Sequence, residues 1–339
     1  MVRDFPRAFL PHSFNLSAGG QVFQYSDLTR EKRHQVLQET GCAESELPDG
    51  IPKLKYDIHP IFRRSDWIYN EQLAEMPEDI FSELAPALRL ASRLLTCDLS
   101  LAWYSHLICG EKQESGGRHS IVPSWGATQP KIQECNKRHA KEVLTMNVAG
   151  KVRVAIAHHR GFPFVFQQML NNRDGHISGL ALSSSELVTT HHAIFLHPKW
   201  MEYLTMPWGI ARATDCEKVR FQVYTAIVLC HEVAHIVAYD VFPGLQEPYH
   251  VDDAPNNELG ESWENAVLGG LVIPAKLPAG VFVMKEWGAK EKESREPIAE
   301  WPVPVEWMSS LVQGEATETS RMKLPEFKLK FVTRRLGAC

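Results

Sequence analysis

Residues 226–240 read AIVLCHEVAHIVAYD, an apolar run interrupted by two histidines and a glutamate. Val228, Leu229, Cys230, Val233, Ala234, Ile236 and Val237 make a helix built from this stretch apolar nearly all round, and such a helix is buried. Polar groups in that setting are costly unless they meet partners. A helix turns about 100° per residue, so His231 and His235 stack on one face, one turn apart. Both imidazoles can then reach one zinc ion at about 2.0–2.1 Å. Glu232 is turned roughly 100° away and can accept a proton from a water at the metal without ligating it. This is the HExxH arrangement. The competing account is a pair of hydrogen-bonded core histidines with a capping glutamate. A single cation satisfies all three groups at once, so one Zn2+ per chain is the expected cofactor.

Two histidines leave such a site incomplete, because a third protein ligand is needed beside one open position. Downstream comes NNELGESWENAVLGG, where Asn256 or Asn257 can cap a helix running to Gly269 and Gly270. That helix carries Glu258, Glu261 and Glu264 as candidates. A second helix donating a glutamate to an HExxH helix resembles the gluzincin superfamily of zinc metallopeptidases, thermolysin-like in logic. NELGES resembles the Asn-Glu start of the thermolysin-type ligand helix. The resemblance implies Glu258 as the ligand, with 22 residues between it and His235. The same pattern carries an Asp four residues on, where this chain has Ser262. A different gluzincin pattern fits Glu261 with Asn265. ELGESWENAVLGG also resembles a segment of uncharacterised fungal HExxH proteins, a form that includes both Glu258 and Glu264. Glu258 therefore stands first, Glu264 second and Glu261 third. The two that do not ligate are expected to hold a histidine or arginine, or to be solvated. These resemblances cover about fifty residues, 223–274.

The chain has 339 residues, enough for a core that buries most of its apolar surface. A net charge of -5 and a pI near 6.3 argue against a nucleic-acid partner. No uncharged apolar stretch approaches the roughly 18 residues of a membrane span. Seven scattered cysteines without a CxxC read as reduced thiols, and the first twenty residues lack a continuous apolar h-region. The expectation is a cytoplasmic protein without a secretory signal.

Periodicity predicts a helix-rich α+β chain, a single zincin-like domain over 1–339, with a small mixed or antiparallel sheet beside the HExxH helix. Residues 1–110 read as an N-terminal helical part and 140–275 as the metal-site core. Helices are expected at 26–41, as one or two helices broken or bent near Pro86 across the Leu-rich stretch before Cys97, at 217–240, at 257–270 and in PVEWMSSLVQG. Residues 1–26 read as loop, and 110–130 as a mobile loop or lid. A hairpin is expected around Ala149 and Gly150. HHAIFLHPKWMEYL holds a short apolar run and reads as a strand, and EFKLKFVTRR as an edge strand guarded by lysines.

If the site is catalytic, Glu232 is the general base. The connector VFPGLQEPYHVDDAPNN must pass near the metal and offers Tyr249 or His250 to an oxyanion, with Tyr239 as another donor. His192 and His197 flank a strand that can lie beside the cleft, although packing roles are commoner for such residues. The substrate is then a peptide or a small molecule. Three functions follow: hydrolysis of peptide or amide bonds, a biosynthetic cyclisation, elimination or isomerisation on the same zinc scaffold, and a non-catalytic zinc relic. The oligomeric state is not written in the sequence.

Overall fold

The HExxH segment becomes the axis of the molecule. In this computed structural model the described residues are 14–18, 21–24, 47, 50–68, 75–115, 117–124, 129–156, 179–182, 191–243, 247–251, 257–274, 278–280, 282–285, 298–313 and 330–333. In chain order the elements are β1 (Phe14–Ala18), β2 (Gln21–Gln24), β3 (Trp67–Ile68), α1 (Glu78–Thr96), α2 (Asp98–Cys109), β4 (Glu111–Ser115), β5 (Arg118–Val122) and α3 (Pro130–Glu142). There follow β6 (Val152–Ile156), β7 (Gly179–Leu182), β8 (His192–Leu196), α4 (Lys199–Thr205), α5 (Asp215–Val241) and α6 (Leu259–Leu268). The last are β9 (Leu271–Pro274), β10 (Phe282–Lys285), β11 (Ile298–Pro302), α7 (Val305–Gln313) and β12 (Lys330–Thr333). The architecture is helix-rich α+β with a small mixed sheet.

Helix α5 spans 27 residues, roughly 40 Å. Thr214 starts it with a capping box: its Oγ1 accepts from the Glu217 N–H at 3.2 Å, and Glu217 Oε2 accepts from the Thr214 N–H at 2.9 Å. No proline or glycine interrupts it. Helices α1, α6 and α7 and strands β7 and β8 pack against it, covering its apolar circumference. Among the described residues it is the one helix long and apolar enough to cross a membrane, but 89% of that window is buried inside the protein.

The four-stranded sheet runs β3-β6-β8-β7. β3/β6 and β6/β8 are parallel, and β7 lies antiparallel at the edge. Every residue of β8 is buried, as expected of a strand covered on both faces. A six-stranded antiparallel sheet runs β2-β1-β12-β11-β10-β9, so the two strands in residues 14–24 pair into a sheet with the chain's last strands.

Several expectations need correction. β12 is not an edge strand: it pairs with β1 on one side and β11 on the other. Alternation with lysine marks a strand but carries no information about its place in the order. The segment expected as a lid forms the β4/β5 hairpin, turning at Gly117 with φ +80°. It reads as loop because Glu111 to Glu114 of β4 are all exposed, and the strand lacks apolar alternation. No hairpin forms around Gly150. Residues 143–148 continue α3 as a π-helix, residues 149–151 form a 3-10 turn, and β6 finds its partners in β3 and β8 instead. Of the one or two helices expected around Pro86, one forms, α1, with Pro86 inside it; and in HHAIFLHPKWMEYL only the first part is strand, Lys199–Thr205 being helix α4. Residues 14–18 and 21–24, read as loop, are strands. The helix expected at 26–41 lies outside the described residues.

Candidate metal centre

α5 supplies His231 and His235 on one face, with ring centroids 5.2 Å apart. α6 supplies the carboxylate. Glu258 is the N-cap of α6, and its Oε2 accepts the Glu261 backbone N–H. That leaves Oε1 facing the histidines, 3.3 Å from His231 Nε2 and 2.7 Å from His235 Nε2. The three ligand atoms all lie within 4.8 Å of one another, and these residues form a group able to hold a metal ion. A tetrahedral ion with bonds of ~2.05 Å keeps its ligand atoms ~3.3 Å apart, so the cluster has the right size.

The far nitrogen of each ring meets its own carboxylate. His231 Nδ1–H donates to Glu264 Oε1 at 2.7 Å. The other oxygen of Glu264 accepts from the Val272 backbone N–H at 2.9 Å, tying the site to β9. His235 Nδ1–H donates to Glu247 Oε1 at 2.6 Å. A carboxylate only accepts, so each Nδ1 carries a proton; each Nε2 also faces an acceptor, Glu258, and carries a second proton there unless a metal ion displaces it. Nothing but backbone hydrogen separates His231 from α6 at Gly260: a Cβ there would lie 2.3 Å from the ring.

Glu232 is only 4% exposed. Burial raises its pKa, partly offset by His231 and His235, and the Ala181 N–H of β7 hydrogen-bonds the carboxylate. β7 presses closely on it: a Cβ on Gly179 would sit 2.6 Å from Glu232 Oε1. Burial opposes a charge on His231, but Glu258, Glu264 and Glu232 outweigh it and hold the imidazole well above its usual range. His235 is likewise pushed up, against burial, to about 10 by Glu247 and Glu258. Glu258 is held far below the ordinary carboxylate range, because the two histidines overcome the effect of its burial. The same carboxylates that attract these protons attract a divalent cation, so protons and metal compete here.

The structure thus brings His231, His235 and Glu258 together, with Glu232 beside them. Glu264 stands behind His231 with both oxygens engaged, and Glu261 contributes its backbone N–H to Glu258. Tyr249 pairs through its backbone with β5, and the Arg118 guanidinium covers its ring at 3.8 Å from the centroid. His250 is stacked on Trp103 at 4.5 Å and donates from Nε2 to the Trp103 carbonyl at 3.2 Å. Burial and the neighbouring His106 lower its pKa to about 3. The Tyr239 hydroxyl reaches the Ala181 carbonyl at 3.5 Å, beside the β7 edge. His192 is buried on β8, and His197 Nδ1 accepts from the Lys199 N–H at 3.1 Å. Sequence reasoning passed over Glu247, whose one signal is an acidic residue in the connector between the two helices of the candidate site. It also gave no sign of Gly179, Ala181 or Val272, which act through backbone and space.

The chain matches no family model, and no curated protein and no solved structure matches it.

Proposed function

We propose that this chain is a zinc-dependent hydrolase of peptide or amide bonds, built on a zincin-like plan with a gluzincin-like ligand set. The observation that supports it is the convergence of His231 Nε2, His235 Nε2 and Glu258 Oε1 on one point, next to a buried glutamate. Two imidazoles and a carboxylate form the donor set of catalytic zinc sites that keep a fourth position open. Glu258 is capped through Oε2 and offers one oxygen, which preserves that opening. Zinc, when bound there, supplies a Lewis acid and brings the pKa of water down toward about 7.

The protein's own residues do the rest. Glu232 takes up the proton released by the attacking water and returns it to the leaving amine. The Ala181 N–H orients its carboxylate. Glu264 and Glu247 keep both histidines in the ligating tautomer. Strand β7 has one strand partner, β8, among the described residues, and its edge runs over α5 at Glu232 and Tyr239. An edge strand beside the reacting groups suits an extended peptide, which can add to it as a further strand. That edge favours a peptide over a compact small molecule.

The test is Glu232→Gln. The variant retains one zinc per chain, while cleavage of a peptide library, read by mass spectrometry, falls by about 10²–10⁴-fold. Undiminished cleavage by that variant removes Glu232 as the base. A wild-type protein that binds zinc but cleaves nothing returns the chain to the small-molecule or relic readings.

A further inference from the structure

The two histidines are braced very differently. Glu264 belongs to the ligand helix itself and is anchored on β9. Glu247 belongs to residues 247–251, a short strap outside any helix or named strand. Two remote elements and one nearby side chain hold this strap. β5 pairs with it: Tyr249 N–H donates to the His119 carbonyl at 2.7 Å, and Ile121 N–H donates to the Tyr249 carbonyl at 2.9 Å. α2 grips it: His106 Nε2–H donates to the His250 carbonyl at 2.8 Å, while the His250 ring lies flat on Trp103, 3° from parallel. The residue before the third ligand also touches it, since Asn257 Nδ2 donates to the Glu247 carbonyl at 3.1 Å. Trp103 closes the circuit by donating from Nε1 to Ser262 Oγ of α6 at 3.2 Å.

We infer that Glu247 is a positioning residue for the metal, and that the strap carrying it lets α2 and the β4/β5 hairpin set metal affinity from a distance. The inference rests on the proposed metal site and adds to it a residue and a route. The reasoning is geometric. An imidazole can rotate about its Cβ–Cγ bond, and Nε2 points at the ion only while Nδ1–H is held from behind. His235 has one such holder, Glu247 Oε1. Glu247 is 15% exposed at its side chain, so water competes poorly for that bond. Its position follows from the two backbone hydrogen bonds with β5 and the buried His250 wedge. Loosening the wedge therefore loosens His235, although His250 itself makes its polar contacts with α2.

The experiment measures zinc affinity by competition with a chelating dye on the full chain, for wild type, Glu247→Ala, Glu247→Gln and His250→Ala. Orienting partners of ligating histidines are worth about 10–100-fold in metal affinity, so Glu247→Ala should weaken zinc by that factor. The glutamine retains a carbonyl oxygen that can accept from Nδ1–H, so Glu247→Gln should recover most of the loss. His250→Ala should weaken zinc several-fold. A Glu247→Ala protein within twofold of wild type overturns the inference, and so does a glutamine that rescues nothing. If the alanine variant does not fold, Glu247→Gln and His250→Ala decide: wild-type affinity in both overturns it. A wild-type chain that takes up no zinc overturns the metal reading itself, whereas tight zinc in all variants overturns only the role of the strap.

Discussion

Helix α5 and the stretch from 247 to 272 both face the same point, yet they contribute to it by opposite means. α5 delivers His231, Glu232 and His235 through nothing more than helical spacing. The later stretch delivers three glutamates with three fates. Glu258 faces both histidines, Glu264 braces one of them, and Glu247 braces the other. What separates the three is the position of each carboxylate and what its other oxygen meets. For Glu258 it is a helix-terminal N–H, and for Glu264 the N–H of a neighbouring strand. Regular structure turns sequence spacing directly into geometry. A cap, a strap and a strand turn residue type into a role only after the chain has packed.

The largest effect should come from the α5 side. His231→Ala removes a ligand and leaves Glu264 buried without its ring; zinc content measured by mass spectrometry should fall from one per chain to none at micromolar metal, an affinity loss of about 10³-fold or more, worth ~4 kcal/mol. A variant that keeps full zinc would break the comparison at its first term. Gly260→Ala comes next. Alanine normally favours a helix over glycine by about 1 kcal/mol. Here its methyl would overlap His231, so the sign should reverse, with zinc affinity down about 10–100-fold. Unchanged zinc binding would mean that α6 can back away from α5 freely.

An effect of another kind, on stability alone, lies away from the candidate metal site. Burial, with Lys141 nearby, lowers the His59 pKa from 6.5 to about 4. The unfolded chain then binds the proton more readily than the folded one. Stability from this group is complete above pH 6.5 and drains away as pH falls toward 4, by about 3 kcal/mol in all. His59→Gln should flatten that limb in urea melts taken across the window, and an unchanged slope would place the acid sensitivity elsewhere. The smallest effect tests the reach of the long helix. Thr214→Ala removes the cap at its far end and should cost about 1 kcal/mol of stability while leaving zinc affinity unchanged. A change in affinity would show that the far end of α5 is felt at the ligands.

Much of the α5 side could be read before folding. The polar triplet in an apolar helix, the strand at β8 and the helices at α6 and α7 follow from periodicity and caps. Glu258 could be singled out only by resemblance, because three glutamates on one helix start look alike until a partner is known. Glu247 was hidden for the same reason more strongly: its role depends on β5 and α2, over a hundred residues earlier. The β4/β5 hairpin escaped notice because β4 is exposed from Glu111 to Glu114 and the buried residues of β5, Ser120 and Ile121, are adjacent, so no period of two appears. The position of β12 between β1 and β11 is a matter of pairing across the whole chain, which no local pattern encodes.

The central placement of α5 has one more outcome. Residues 219–230 of α5 are all buried under the helices and strands packed against it, so their amide protons have no local route to solvent, and their exchange with deuterium should report the rarest opening of the whole protein. The ligating histidines sit on that slowest element. Release of an ion needs no opening of α5, only movement of side chains and of Glu258, while the helix backbone would keep the two histidines one turn apart even as the outer strap breathes.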